Sequence, residues 1–154
     1  MRKTVILSAT LLAATIHPAL SQDGEGNSMQ AMKSGDQFVL PEKCEQAAGD
    51  VDMSQMMSAM EQMMSAEGRS EASKANMRAM MQMHEPMMKA MTIEDADVAF
   101  NCGMIVHHQG GIAMSEIELE MGEDEKSHEM AKKMAGSQKK DIEQMTAWVD
   151  EHVE

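Results

Sequence analysis

From Val51 to the C-terminus the polar and apolar positions show no period-two alternation; apolar residues return every three to four positions, the repeat of helices buried along one side. Ala, Met, Glu, Gln and Lys dominate this stretch, all strong helix formers, and its only proline is Pro86. Gly68 and the Arg69-Ser70 step separate a first helix, about 52–66, from a second that begins near Ser70. Pro86 removes a backbone donor from the second helix and is expected to kink or end it. Thr92 with Asp95 three residues later resembles a capping box, opening a third helix that runs to Gly122. Glu123 and Asp124 suit the first turn of a fourth, in which Ala131, Met134, Ile142, Met145 and Val149 recur at helical spacing. Four helices with short links predict an all-α fold, an antiparallel four-helix bundle over residues 50–154.

The chain ahead of the helices has a different character. Arg2 and Lys3 precede an apolar run from Val5 to Ile16, and Ala19-Leu20-Ser21 places small residues where a signal peptidase reads, so residues 1–21 are expected to be a cleaved signal peptide. The run is too short for a stable bilayer span, and no later stretch approaches twenty apolar residues, so the exported form is expected to lack a membrane span. In a Gram-negative cell that means the periplasm. Residues 22–49 are polar, glycine-bearing and without a sustained period, and read as a flexible arm with Phe38-Val39-Leu40 as its one sticky patch.

Composition sharpens the picture. Among 154 residues there are 22 Met and no Tyr, and Phe38, Phe100 and Trp148 are the only aromatics, so methionine is expected to share the packing. The net charge is -13; loss of Arg2 and Lys3 with the leader leaves 11 basic residues against 26 acidic ones, about -15. Nucleic acid and anionic membranes are thereby disfavoured, and cations are the better partners. In an oxidising compartment the two cysteines, Cys44 and Cys102, first suggest a disulfide; two buried thiols, or a thiolate in a metal site, are the alternatives.

The first two helices look like a repeat. A shift of 24 residues carries Met53, Met56, Met57, Met63 and Met64 onto Met77, Met80, Met81, Met87 and Met88, while Met60 falls on His84. Met-Met pairs recur after seven residues, two turns, and two facing stripes would line a shared seam with thioethers. Any single Met at such spacing is most simply core filler. For the set that account weakens, because Leu packs a core better and yet, beyond the leader, occurs only at Leu40 and Leu119. A thioether is a soft, neutral ligand that suits Cu(I) or Ag(I) and survives where thiols would pair.

The third helix holds the tightest constellation: Met104, His107, His108 and Met114, with Gly110 and Gly111 between. Met104, His107 and Met114 share a side, whereas His108 is turned by about 100° and addresses a neighbouring site or a partner helix. The two glycines suggest close approach of another backbone or of an ion shell. Hydrogen-bonded histidines at a helix interface would read the same way. His84, one turn from Met80, Met81, Met87 and Met88, completes a second Met/His candidate near Pro86. His128, close to Met130 and Met134, is a third candidate, although Glu125-x-x-His128 lacks the second such motif a di-iron centre needs. His152 is expected to be merely solvated.

Residues 97–148 resemble the CopM-like copper-binding family, the domain of unknown function 305. The resemblance is carried by Asp97 and Phe100, by Met104-Ile105-Val106-His107-His108-Gln109-Gly110, by Ile112 and Met114, and by the closing Gln138, Asp141-Ile142, Met145 and Trp148. It implies a small exported protein with a ferritin-like bundle that binds periplasmic copper and supports copper resistance. Met104, His107, His108 and Met114 would be its ligands, Gly111 and Ser115 standing where the family pattern usually has Ala. The functional expectation is a carrier or buffer of Cu(I), with Cu(II) or Ag(I) as further cargo and a copper exporter or another copper-handling protein as partner. The ligand set drawn from ligand chemistry adds His84, Met80, Met81, Met87, Met88, Met56, Met57, Met60, Met63, Met64 and His128. The competing readings are a Met-rich client-binding or oxidant-scavenging bundle without metal, and, less favoured, a metal oxidase; no enzyme is expected.

Overall fold

A computed structural model describes residues 38–64 and 68–154, without the side chain of Met64. The expected signal peptide 1–21, and residues 22–37 of the expected arm, lie outside the described residues. Among the described residues five helices follow in order: α1 (Glu42–Ala47), α2 (Ser54–Met64), α3 (Glu71–Ala90), α4 (Ala96–Met121) and α5 (Glu125–His152). Among the described residues there is no strand, and the fold is an all-α bundle. No helix of the described residues is long and apolar enough to cross a membrane.

Three side chains set the starts of the long helices. Ser70 Oγ accepts from Ser73 N (3.1 Å) ahead of α3, and Asp124 accepts from Ser127 N (2.7 Å) ahead of α5. Asp95 caps α4 by accepting from Asp97 N and Val98 N, both at 3.0 Å. Thr92 is therefore not the cap that a capping box predicts. Its hydroxyl donates to Lys89 O (2.7 Å) and accepts from Gly49 N (2.6 Å), fastening the chain before α2 to the end of α3. Pro86 does not end α3, which continues to Ala90 with the proline ring buried, so the missing donor lies within a helix held by packing.

α4 is the central element, packed along α5 on one side and α3 on the other; α3 and α5 share no comparable contact. The core forms on one side of this three-helix layer, from Ala90, Ile93, Val98, Cys102, Ile105, Val106 and Val149 together with Leu40 and Cys44. Each fully buried Leu, Ile or Val contributes about 1.5–3 kcal/mol. Residues 38–49, read as part of a flexible arm, are thus built into the core: Phe38 is 6 % and Leu40 2 % exposed, and α1 touches both α3 and α5. A disulfide joins Cys44 to Cys102 of α4, both fully buried, with Cα atoms 5.7 Å apart, which removes the thiolate-ligand alternative. α2 meets α3 only lightly.

Candidate metal centre

α4 brings the histidine pair to a fixed place because its 26 residues run unbroken through the constellation. His108 points toward α5: Nδ1 lies 2.8 Å from Met104 O and Nε2 3.4 Å from Asp141 Oδ2, with the side chain 12 % exposed. A carbonyl only accepts, so Nδ1 carries a proton and donates, and Nε2 is the nitrogen that faces the Asp141 carboxylate. That is the arrangement by which a backbone carbonyl fixes a metal-ligating tautomer. Asp141 was missed as a partner, although the three-residue link between α4 and α5 sets a register that brings 108 opposite 141.

His107 and Met114 lie on the exposed side of α4, as their spacing predicts. His107 meets the edge of the His108 ring with centroids 6.0 Å apart and has no hydrogen bond among the described residues. Met104 is half-buried and serves His108 through its carbonyl. The glycines make room for side chains rather than backbone: a Cβ at Gly110 would lie 2.5 Å from Met83 Sδ, and one at Gly111 2.5 Å from Gln138 Oε1.

The methionine stripe of α3 divides. Met81 faces a cleft that it lines with Phe38, Val39, Met57, Arg78 and Pro86, while Met80 and Met88 are exposed and Met87 is half-buried, its Sδ 4.0 Å from where a Gly103 Cβ would be. Adjacent helical positions differ by about 100°, so a Met-Met pair cannot present both sulfurs to one partner. α2 meets α3 only lightly, and of the two expected stripes Met57 and Met81 line the same cleft. Met56 and Met63 are exposed and Met60 half-buried. His84 Nε2 is buried without a hydrogen-bond partner, a state that costs about 1–3 kcal/mol and marks the atom as available for a ligand.

The remaining histidines have structural partners. His128 Nε2 donates to Gly122 O (3.0 Å) at the end of α4, so that nitrogen is occupied, and Met130 and Met134 beside it are exposed. His152, expected to be merely solvated, stacks on Trp148 with centroids 4.2 Å apart and bonds its carbonyl through Nδ1 (2.7 Å). Hydrogen bonds from Ser127 hold the Asp124 carboxyl below its ordinary range. Bonds from Ser54 do the same for Asp52, and the Lys74 ammonium for Glu71. Among the described residues no three His, Cys, Asp or Glu side chains converge on one point.

No methionine of the described residues is buried: the core is Leu, Ile, Val, Ala, Phe and the disulfide, while seven methionines of α3, α4 and α5, or of the turn after α3, are among the large apolar side chains left in solvent. Methionine shares the packing at the margin of this core, where half-buried Met83, Met87 and Met145 pack against it, while branched residues fill its centre.

No curated protein matches the chain. A family model does, over residues 9–149, well beyond the stretch 97–148 and across the methionine repeat and the Cys44 segment. The chain belongs to the family described as Domain of unknown function (DUF305).

Proposed function

We propose that this protein is an exported copper binder that buffers or carries Cu(I) on Met/His sites, in the manner of CopM-like proteins with a ferritin-like bundle. The observation that carries the reading is the placement of the methionines outside the core, interleaved with imidazoles at helical spacing on α3 and α4. Exposed thioethers add nothing to a packed interior, but they are soft donors that an ion can reach. His107 and His108, with Met104 and Met114 on the same helix, supply donors to neighbouring sites on the two sides of α4. The nitrogen and oxygen of His108 and Asp141 also suit Cu(II), and Ag(I) would share the thioethers. The buried disulfide supports an oxidising compartment, which in a Gram-negative cell is the periplasm. The acidic surface raises the local concentration of cations without selecting copper. A copper exporter or another copper-handling protein is the natural recipient.

The same exposure favours a second reading, an oxidant sink in which thioethers become sulfoxides. That role needs no histidine. Competition of residues 22–154 against a coloured Cu(I) chelator, without oxygen, separates the two. Tight uptake that loses an ion in His107→Ala/His108→Ala supports the copper reading; uptake no tighter than the chelator, with fast sulfoxide formation by peroxide, supports the other.

A further inference from the structure

The contacts of Met83 and Ala90 fix the register of α3 against α4. Met83 Sδ sits at Gly110, and Ala90 Cβ, with Met87 Sδ beside it, sits at Gly103, so the helices run antiparallel with 83 opposite 110 and 90 opposite 103. His84 lies between those two positions in α3, and His107 between the two glycines in α4. The two imidazoles therefore lie within one turn of each other along the seam.

Their side follows from helical phase. On α4, His107 is turned by roughly 50° from the line of Gly103 and Gly110, away from Cys102 and Val106 and so away from the core. On α3, Pro86 and Ala79, both buried, mark the core side of Met83, and His84 is turned the other way by about 100°. Both histidines thus project on the side of the layer opposite the core. Met80 and Met87 lie between His84 and the seam, whereas Met88 falls beyond His84 and Met81 faces the opposite cleft.

We propose that one soft-cation site spans the α3–α4 seam, with His84 and Met87 of α3 and His107 of α4 as its donors; the proposal rests on the copper-binding reading and names a site within it. Three observations converge on it. His84 Nε2 is buried and has no partner, so a donor atom already stands out of water with its valence unused. His107 is exposed and has no hydrogen bond among the described residues, so its ring is free to turn about its side-chain torsions toward α3. The Met87 thioether lies against α4 beside Gly103, on the same side of the seam as the two histidines. Two neutral nitrogens and a sulfur form a low-coordinate, soft set suited to a monovalent d10 ion, and the exposed Met80 thioether one turn from His84 offers a way in. His108, held by Met104 O and facing Asp141, belongs to a different site on the α5 side.

Silver ion, redox-inert and a surrogate for Cu(I), is the probe. Titration of the protein with Ag(I), followed by methionine-methyl and imidazole-nitrogen NMR, is expected to shift His84 Nε2, a nitrogen of His107 and the Met87 methyl together, in one step, with the Met81 methyl unmoved. His84→Ala and His107→Ala are each expected to lose the same single ion, and the double variant no more than that one. Separate steps for His84 and His107 in the unaltered protein, or loss of two ions in the double variant, would overturn the shared site while leaving the copper reading standing. No Ag(I) or Cu(I) uptake at all would overturn both. The shifts of the unaltered protein decide the question even if a variant folds poorly.

Discussion

Replacing both Cys44 and Cys102 by Ala opens a loop of 58 residues that ties α1 to the middle of the core. On the chain-entropy account, closing a loop of that length removes about 14 cal/mol/K from the unfolded ensemble, so the bridge should contribute about 4 kcal/mol at 25 °C. Loss of two fully buried sulfurs adds a packing term of the same sign. For the described part of the chain this corresponds to a fall of roughly 15 °C in melting temperature. Denaturant unfolding of the unaltered protein and the double variant measures the difference, and a reduced sample with both thiols in place isolates the covalent part. Hydrogen exchange localises it: the amides of Glu45 and Ala48, bonded to Pro41 O and Cys44 O, should exchange faster once the bridge is gone. A loss under about 1 kcal/mol would refute the reasoning. It would mean that the burial of Phe38 and Leu40 already holds this segment in the unbridged chain.

Asp95→Ala should cost about 1 kcal/mol, because two amides at the start of α4 lose their acceptor; urea unfolding reads it. Asp124 makes stability depend on acid: its carboxyl titrates below the ordinary 3.8 in the folded chain, so its contribution is complete above that value and is lost as pH falls through the depressed one. The melting temperature should therefore drop less steeply below pH 3.8 in Asp124→Asn than in the unaltered protein. Gly110→Ala would set a Cβ 2.5 Å from Met83 Sδ, and since that sulfur is held in the α3–α4 seam the overpacking should cost about 1–3 kcal/mol. Adding Met83→Ala should recover part of that cost in a double-mutant cycle, whereas strictly additive losses would show that the two positions do not meet.

The helix pattern was legible wherever one side of a helix meets the core. α5 follows the spacing of Ala131, Ile142, Met145 and Val149, whereas Met134, read at the same spacing, is exposed, and the starts of α3 and α5 follow Ser70 and Asp124. Asp95 was recognised as part of a cap but placed one turn too late in its motif, because Thr92 and Asp95 have the same capping chemistry and only the backbone decides between them. α1 was not legible: six residues show less than two turns of periodicity, and what holds them is a disulfide and the long-range burial of Leu40. At the candidate site, the ligand types could be read from residue chemistry, but not their grouping. His84 and His107 lie 23 positions apart, and nothing local announces that Met83 at Gly110 and Ala90 at Gly103 bring them within one turn of each other.

The division between interior and surface makes a last prediction that separates function from stability. Core volume comes from Leu40, Ile105, Val106 and Val149 and from the disulfide, while Met80, Met114 and Met134 are 47 %, 48 % and 49 % exposed. Met→Leu at these three positions keeps size and hydrophobicity and removes the sulfur from side chains outside the core. Surface changes of this kind usually stay within about 0.5 kcal/mol each, so the triple variant should unfold within about 1.5 kcal/mol of the unaltered protein. Its capacity for Cu(I), measured against the same chelator, should nevertheless fall, because Leu offers no donor electrons. If the variant instead lost stability and kept its full capacity for Cu(I), these methionines would be packing groups after all, and the case for their exposure as ligands would fail.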